Sequence, residues 1–531
     1  MVINSLEFLL FVAITVIIYK IIPPKIKWVV LLIASYLFYF LNSTYMTIAI
    51  LTTTVSVYWI ALKIKQINER VTIELKEIEN KEQKKTRKKQ AKTKQKSILT
   101  MGILFNLGIL VVLKYSGFIR ENINSLFSIL HMNVEMPIAK FILPIGISYY
   151  TLQAISYIVD VYRGKVEADK NLGRVALFLV FFPQVVQGPI GRYDMLANNL
   201  YKPHDITYEN LTSGAQLMLW GYFKKMVIAD RIAMYANEVF TNYTAYSGPI
   251  IILGMIAYTI QIYAEFSGGI DIIRGVAEIF GIHLSKNFER PFFSKSIDEF
   301  WRRWNMTLGT WLKDYVFYPV SLSKASIKIT EGARKIFKTS YLSKIIPVAF
   351  SLLCVWVSNG IWHGSGLKYL VYGLYYYVLM MLGKLLEPLG NKVISVFKIN
   401  TKAWSYRFWQ MIRTGGLVCI GMTIFRAPNL QTAFTMLKSV LHPHNLERLF
   451  NGQAFLLGGM RKEDIIILTI SIMVLLGVSI YQEKGKSVRN WLKEQNLIFR
   501  WLVLYAMIFA IILFGIYGQG YNVQSFIYGQ F

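Results

Sequence analysis

"IIPVAFSLLCVWVSNGIWHGSGLKYLVYGLYYYVLMMLGKLL", residues 345–386, is two apolar runs joined by a short break. Residues 345–357 are almost wholly apolar, and residues 367–386 are nearly so. With their neighbours, each run approaches the ~20 residues that a helix needs to cross a hydrocarbon core of about 30 Å. The break, SNGIWHGSG at 358–366, places His363 among Gly360, Gly364 and Gly366. An ionisable ring between two membrane helices is costly unless it meets a partner or a cavity.

The same apolar pattern recurs through the 531-residue chain, which is 54% hydrophobic with a mean hydropathy of +0.41. Spans are predicted at roughly 5–22, 27–42, 45–62, 98–114, 139–159, 175–190, 211–228, 248–282, 345–361, 367–386, 408–425, 464–481 and 500–517. These are continuous apolar runs rather than alternating ones, which argues for helices and against a β-barrel. The expectation is an all-α, polytopic membrane bundle of about 11–13 helices, read as a single domain over 1–531. FFPQVVQGPIG, at 181–191, holds two prolines and two glycines. It is expected to be a broken or re-entrant element, buried in protein or lining a cavity.

The net charge of +28 would suggest nucleic acid on a soluble protein, but here the cations lie in the loops between apolar runs. That is the pattern of membrane orientation and of attraction to anionic lipid, so no nucleic-acid partner is expected. KEQKKTRKKQAKTKQK (81–96), within a basic segment at 63–97, reads as the cytoplasmic extension of a helix. Three spans precede it, which puts the N-terminus outside. Counting onward, 284–344 falls inside, 241–248 outside, and the tail 518–531 outside, in a multi-pass plasma-membrane protein. Residues 1–22 lack a basic start and a small-residue cleavage site, and read as a first membrane helix. Cys354 and Cys419 both sit in apolar segments and imply no disulfide framework.

Of six histidines, only His363 occupies the middle of a hydrophobic hairpin. Two readings stand: a turn histidine bonded to a carbonyl, and a neutral imidazole that takes a proton from a hydroxyl or helps move an acyl group. Trp362 supplies a wall beside it. No second His, Cys or carboxylate lies at ligand spacing nearby, so no metal is expected.

A second constellation is NFERPFFSKSIDEFWRRWNMTLGTWLKDYVFYP, 287–319. Ser294 and Ser296 before Asp298 and Glu299 suit a helix start. On a helix Phe300, Trp304, Leu308 and Trp311 fall near one face, which predicts an amphipathic helix at the inner surface. Arg302 and Arg303 are candidate ligands for the phosphates of a cytoplasmic donor.

These two stretches, with ILPIGISYYTLQAISYIVDVYRG (142–164), FFPQVVQGPIGR (181–192), YAEFSGGIDI (263–272) and the ending FIYGQF (526–531), resemble the membrane-bound O-acyltransferase family. The branch resembled is that of the alginate and peptidoglycan O-acetyltransferases, with the teichoic acid D-alanyl transferases further off. The resemblance implies a helical bundle with a central tunnel or funnel and His363 as the essential histidine. The acetyl-exporting branch usually has His where this chain has Asn305, which can still orient a carbonyl, and Asp where it has Glu265. Trp304, Trp362 and Glu265 are taken with the two arginines as candidate substrate contacts.

The implied chemistry has acetyl-CoA as donor substrate, with no tightly bound cofactor. An acetyl group would pass across the membrane to an outward-facing serine O-acetyltransferase partner acting on a cell-wall or secreted polysaccharide. Tyr528, in the terminal motif, is a candidate transient acyl carrier or else an aromatic interface anchor. Two rivals remain: D-alanyl transfer to teichoic acid from a carrier-protein thioester, and a transporter or flippase without acyl chemistry.

Overall fold

The computed structural model describes residues 1–132, 134, 136, 144–246, 248–338, 340–442 and 447–517. Among these the chain is helical throughout, and its one extended pairing is an isolated bridge between Phe288 and Trp304. Nine of the described helices are long and apolar enough to cross a membrane: Pro24–Asn42, Thr47–Glu77, Lys81–Ile129, Pro249–Ile279, Tyr341–His363, Leu367–Val396, Trp404–Arg426, Lys462–Glu483 and Leu497–Phe514. The other expected spans are present as shorter pieces. Leu6–Ile21 has 16 residues and Ile147–Arg163 has 17, while Leu172–Val180 stops after nine. The span expected at 211–228 changes from α to π winding at Phe223–Ala229.

The chain divides into two compact units, one of residues 1–215 and 273–285, the other of residues 216–272 and 286–531. In the first, the basic segment is helical. Thr47–Glu77 and Lys81–Ile129 are joined by three residues, with the Asn80 side chain accepting from the amides of Glu82 and Gln83. The 49-residue second helix buries Ala91, Gln95, Leu99, Gly102, Asn106 and Leu110, spaced by three or four, while Lys85, Lys88, Lys89, Lys92, Lys94 and Lys96 are exposed. It is the expected helical extension.

The FFPQVVQGPIG element is broken, as its prolines and glycines predict. Helix Leu172–Val180 ends, Phe182–Val185 makes one more turn, and 186–192 is irregular. Its backbone is buried rather than exposed to lipid: the Phe182 amide donates to Ser35 Oγ at 3.0 Å. Gly146, at φ 71°, packs directly on the Val185 carbonyl, where a Cβ would collide.

The second unit holds the core that matters for the site. Tyr258, Phe266, Phe300, Trp304, Trp356, Tyr372, Tyr376 and Phe425 are all buried within one cluster. The expected amphipathic helix proves to be two short helices, Ile297–Arg303 and Met306–Leu312. Between them Trp304 is extended and Asn305 is left-handed at φ 44°, a conformation that Asn tolerates better than most residues. The break is held by backbone pairing with an upstream segment: Glu289 N–H to Arg303 O at 2.9 Å, and Met306 N–H to Asn287 O at 3.0 Å. Phe300, Trp304, Leu308 and Trp311 are nevertheless all buried, so the apolar pattern was real even though one continuous helix does not carry it. The Ser296 hydroxyl does cap the first helix, accepting from the Glu299 amide at 3.1 Å.

Candidate active site

His363 is the last residue of helix Tyr341–His363, and Gly366 caps the start of Leu367–Val396. Two glycines let these helices touch. A Cβ on Gly360 would lie 2.5 Å from the Tyr369 carbonyl oxygen and 3.2 Å from Leu370 Cα. A Cβ on Gly373 would strike the Trp356 carbonyl, and its site is 3.5 Å from Gly360 Cα. Small residues at a helix crossing allow such backbone approach. Together they fix the turn that presents the imidazole.

That ring is 4% exposed. Three aromatic rings meet it: Trp362 at 4.9 Å, Phe425 at 5.2 Å and Tyr372 at 5.6 Å between centroids, all close to perpendicular. Edge-to-face packing of this kind holds an orientation. The imidazole is therefore buried against aromatic rings, where a proton acceptor meets little competition from bulk water.

Asn305 is also buried, at 3% exposure. Its Oδ1 accepts from Asn287 Nδ2 at 3.0 Å, and Asn287 Oδ1 in turn accepts from the Thr307 amide and hydroxyl. The structure does not bond Asn305 to His363. Between them runs a chain of ring contacts, from Tyr372 to Trp301 at 6.3 Å, Trp301 to Phe300 at 5.4 Å, and Phe300 to Trp304 at 5.4 Å. Trp304 belongs to this chain and also meets Phe288 and Tyr263, so its environment is a packed core. Trp362 is half-buried against the imidazole.

The two arginines part company. Arg302 is exposed. Arg303 is held by Glu299 at 2.7 Å and Glu483 at 3.0 Å. Burial works to lower its pKa, but hydrogen bonds and charge from these carboxylates outweigh it and raise the guanidinium above its ordinary value. Arg290, left-handed at φ 49°, bonds the same Glu483 at 2.6 Å. Arg290 and Arg303 thus share Glu483. Beside them a cleft of about 120 Å³ is lined by Tyr263, Arg290, Phe292, Leu475 and Ser479, away from the imidazole and its ring partners.

Glu265 is buried and paired with Lys225 at 3.0 Å, and Lys225 also meets Asp230 at 2.8 Å. Lys224, next in sequence, pairs with Asp271 at 2.6 Å and bonds the Ser267 hydroxyl. Arg231 bonds the Phe514 carbonyl and lies 3.4 Å from Asp464. Sequence reading missed this ionic layer, although a lysine pair inside an apolar run, "YFKKMVIAD" at 222–230, was the available signal. Tyr528 lies outside the described residues.

A model of the membrane-bound O-acyltransferase family matches residues 167–425, a stretch that holds His363, its three ring partners and Asn305. The chain is 31% identical to a probable alginate O-acetylase of Pseudomonas syringae pv. tomato, over 82% of this chain and 74% of that protein. It is 30% identical to the protein of the same name in Pseudomonas aeruginosa, over 90% of this chain and 80% of that one.

The chain belongs to the membrane-bound O-acyltransferase family.

It is therefore an O-acyltransferase and a multi-pass membrane protein of the branch resembling alginate and peptidoglycan O-acetyltransferases. A peptidoglycan O-acetyltransferase of Helicobacter pylori is 28% identical over 65% of this chain and 64% of its own length. Family membership removes a transporter without acyl chemistry from the readings of the intramembrane histidine.

Proposed function

We propose that this acyltransferase takes an acetyl group from acetyl-CoA at the cytoplasmic side and delivers it outward, for O-acetylation of a cell-wall or secreted polysaccharide. The observation that carries this reading is His363 itself. A buried imidazole, gripped by three rings at a glycine-built turn, lies inside the family match of a chain whose relatives bear O-acetylase names. His363 is the general base. It draws the proton from an acceptor hydroxyl as that oxygen attacks the thioester carbonyl. The C–O bond forms, the C–S bond breaks, and the proton passes to the leaving thiolate, giving an ester and free coenzyme A. The apolar surroundings restrain loss of the acyl group to water.

Asn305 is assigned the donor role at the carbonyl. Its Oδ1 is engaged by Asn287, which leaves the Nδ2 group for a developing oxyanion. Arg303 is engaged by two carboxylates, so Arg302 is assigned to the donor's phosphates. Loop charge supports an outer position for the His363 turn and an inner one for Arg302, with both chain ends outside. The expected partner is an outward-facing serine O-acetyltransferase, and Tyr528 is the candidate carrier between the two.

The experiment is release of label from [acetyl-labelled] acetyl-CoA by membranes holding the native chain or His363→Ala. Loss of His363-dependent turnover is expected in the variant. Equal turnover in both would end the assignment. The relatives include a teichoic acid D-alanyltransferase of Bacillus subtilis, 29% identical over 56% of this chain. Substituting a D-alanyl carrier-protein thioester in the same assay separates that reading.

A further inference from the structure

Trp301 lies on helix Ile297–Arg303, directly before Arg302 and four positions before Asn305. Its indole is packed among four rings: Tyr376 at 4.8 Å, Trp356 at 5.0 Å, Phe300 at 5.4 Å and Tyr372 at 6.3 Å between centroids. Tyr372 in turn meets the imidazole of His363 at 5.6 Å. The Trp301 Nε1 atom is buried, and its N–H reaches no acceptor among the described residues.

Its neighbours are satisfied. Trp356 Nε1 donates to Met380 Sδ at 3.3 Å. The Tyr375 hydroxyl donates to the Leu417 carbonyl at 2.8 Å, and the Tyr376 hydroxyl to the Val418 carbonyl at 3.4 Å. A buried indole ordinarily finds an acceptor, because a donor taken from water and left unmade forfeits its hydration. An unused N–H in a cluster whose other polar edges are matched is a donor kept for an acceptor that arrives with the substrate.

The placement suits an acyl carbonyl. The same short helix carries Arg302, assigned above to the donor's phosphates, and it ends at the break that presents Asn305, assigned to the carbonyl. Phe300, Trp356, Tyr372 and Tyr376 all stand within 20° of perpendicular to the indole, which fixes the direction of its N–H. The indole also borders the ring that touches the proposed base.

We propose that Trp301 is a catalytic residue, its Nε1–H a second donor to the acyl carbonyl alongside Asn305 Nδ2. The inference rests on the acetyl-transfer reading above and adds a group to it. As the acceptor oxygen attacks, the C=O π pair moves onto the carbonyl oxygen, and the hydrogen bond from the indole strengthens. The pair returns as the C–S bond breaks and the thiolate leaves. The indole keeps its proton throughout, and His363 handles the one that moves. A donor already fixed by packing needs no reorganisation as the charge develops. The rival use of this proton is a weak N–H···π contact with Trp356 or Tyr376.

The test replaces Trp301 in the full-length protein with 3-benzothienylalanine, which keeps the indole's shape and carries sulfur in place of N–H. The kcat for acetyl-CoA should fall by about 100-fold, with KM changed by no more than about 2-fold. The melting temperature should stay native. The same replacement at exposed Trp404 is the control and should leave turnover unchanged. A second readout needs no turnover: isotope-edited infrared spectra of bound acetyl-dethia-CoA, a ketone with a methylene in place of the thioester sulfur. Its carbonyl band should lie at lower wavenumber in the native protein than in the 301 variant. Native kcat in that variant, or an identical carbonyl band, overturns the proposal and leaves the N–H···π contact. A raised KM with native kcat also overturns it, since the N–H would then serve binding alone. His363-dependent turnover of acetyl-CoA that survives the replacement refutes Trp301 and spares the acetyl-transfer reading. Turnover of only a D-alanyl carrier-protein thioester refutes that reading, and the same kcat comparison on that thioester then decides Trp301.

Discussion

Adding one methyl group at Gly360 should disable the site from a distance. The new Cβ would stand 2.5 Å from the Tyr369 carbonyl oxygen, against about 3.3 Å for an ordinary carbon–oxygen contact. Relief requires the helices Tyr341–His363 and Leu367–Val396 to part by about 0.8 Å at that point, since neither opposing atom belongs to a side chain that can swing away. Overpacking on this scale costs about 1–3 kcal/mol. The catalytic consequence should be larger. The separation falls three residues before His363 and tilts the ring away from Tyr372 and Phe425, and a misplacement near 1 Å costs about 100-fold in rate. Gly360→Ala is expected to keep its helical content, melt somewhat earlier, and lose about 10- to 100-fold in acetyl-CoA turnover. Gly373→Ala should behave alike, and the double variant should cost less than the sum of the two, because a single separation relieves both clashes. Gly383→Ala, in the same helix but with nothing within 4 Å of its Cβ, is the control and should be neutral or slightly stabilising. Native turnover in Gly360→Ala would refute the claim that this helix contact positions the imidazole.

Asn305→Gly and Asn305→Ala separate backbone from side chain at φ 44°. Glycine should preserve melting behaviour, alanine should lower stability by about 1–2 kcal/mol, and both should lose turnover if the carboxamide serves the carbonyl. Lys225→Met leaves Glu265 and Asp230 facing each other in a buried site and should cost about 3–5 kcal/mol in detergent melting. Glu265→Gln keeps the Lys225–Asp230 pair and should cost less, so the reverse order would overturn this account of the layer. Arg303→Ala should change stability by at most about 1 kcal/mol, since its pairs are partly solvated, and leave the KM for acetyl-CoA alone. Arg302→Ala should raise that KM, and titrations of initial rate against donor distinguish the two.

The hairpin at 345–386 was legible because a membrane helix is a local event. Twenty apolar residues in a row specify one with little help from elsewhere. A break beside His363, which the structure narrows from 358–366 to 364–366, the Ser296 cap and the broken FFPQVVQGPIG element were readable for the same reason, since glycine, proline and hydroxyl side chains act on their own backbone. The amphipathic helix was read only in half. Its apolar stripe is buried as expected, but the interruption at Trp304–Asn305 depends on pairing with residues 287–289, which periodicity within the stripe does not encode.

Sequence alone determined that this chain is a helical membrane protein with a histidine at a glycine-lined turn, and its ordered motifs pointed to the acyltransferase family. Tertiary structure alone decided what each charge faces. Arg303 meets Glu483 across 180 positions and Lys225 meets Glu265 across 40. Ion pairs form wherever folding brings opposite charges within about 4 Å, and in a poorly solvated interior the partner rather than the residue type dictates what a cation can still bind. Hence two neighbouring arginines that look equivalent in RRW have different surroundings, Arg302 exposed and Arg303 held by two carboxylates.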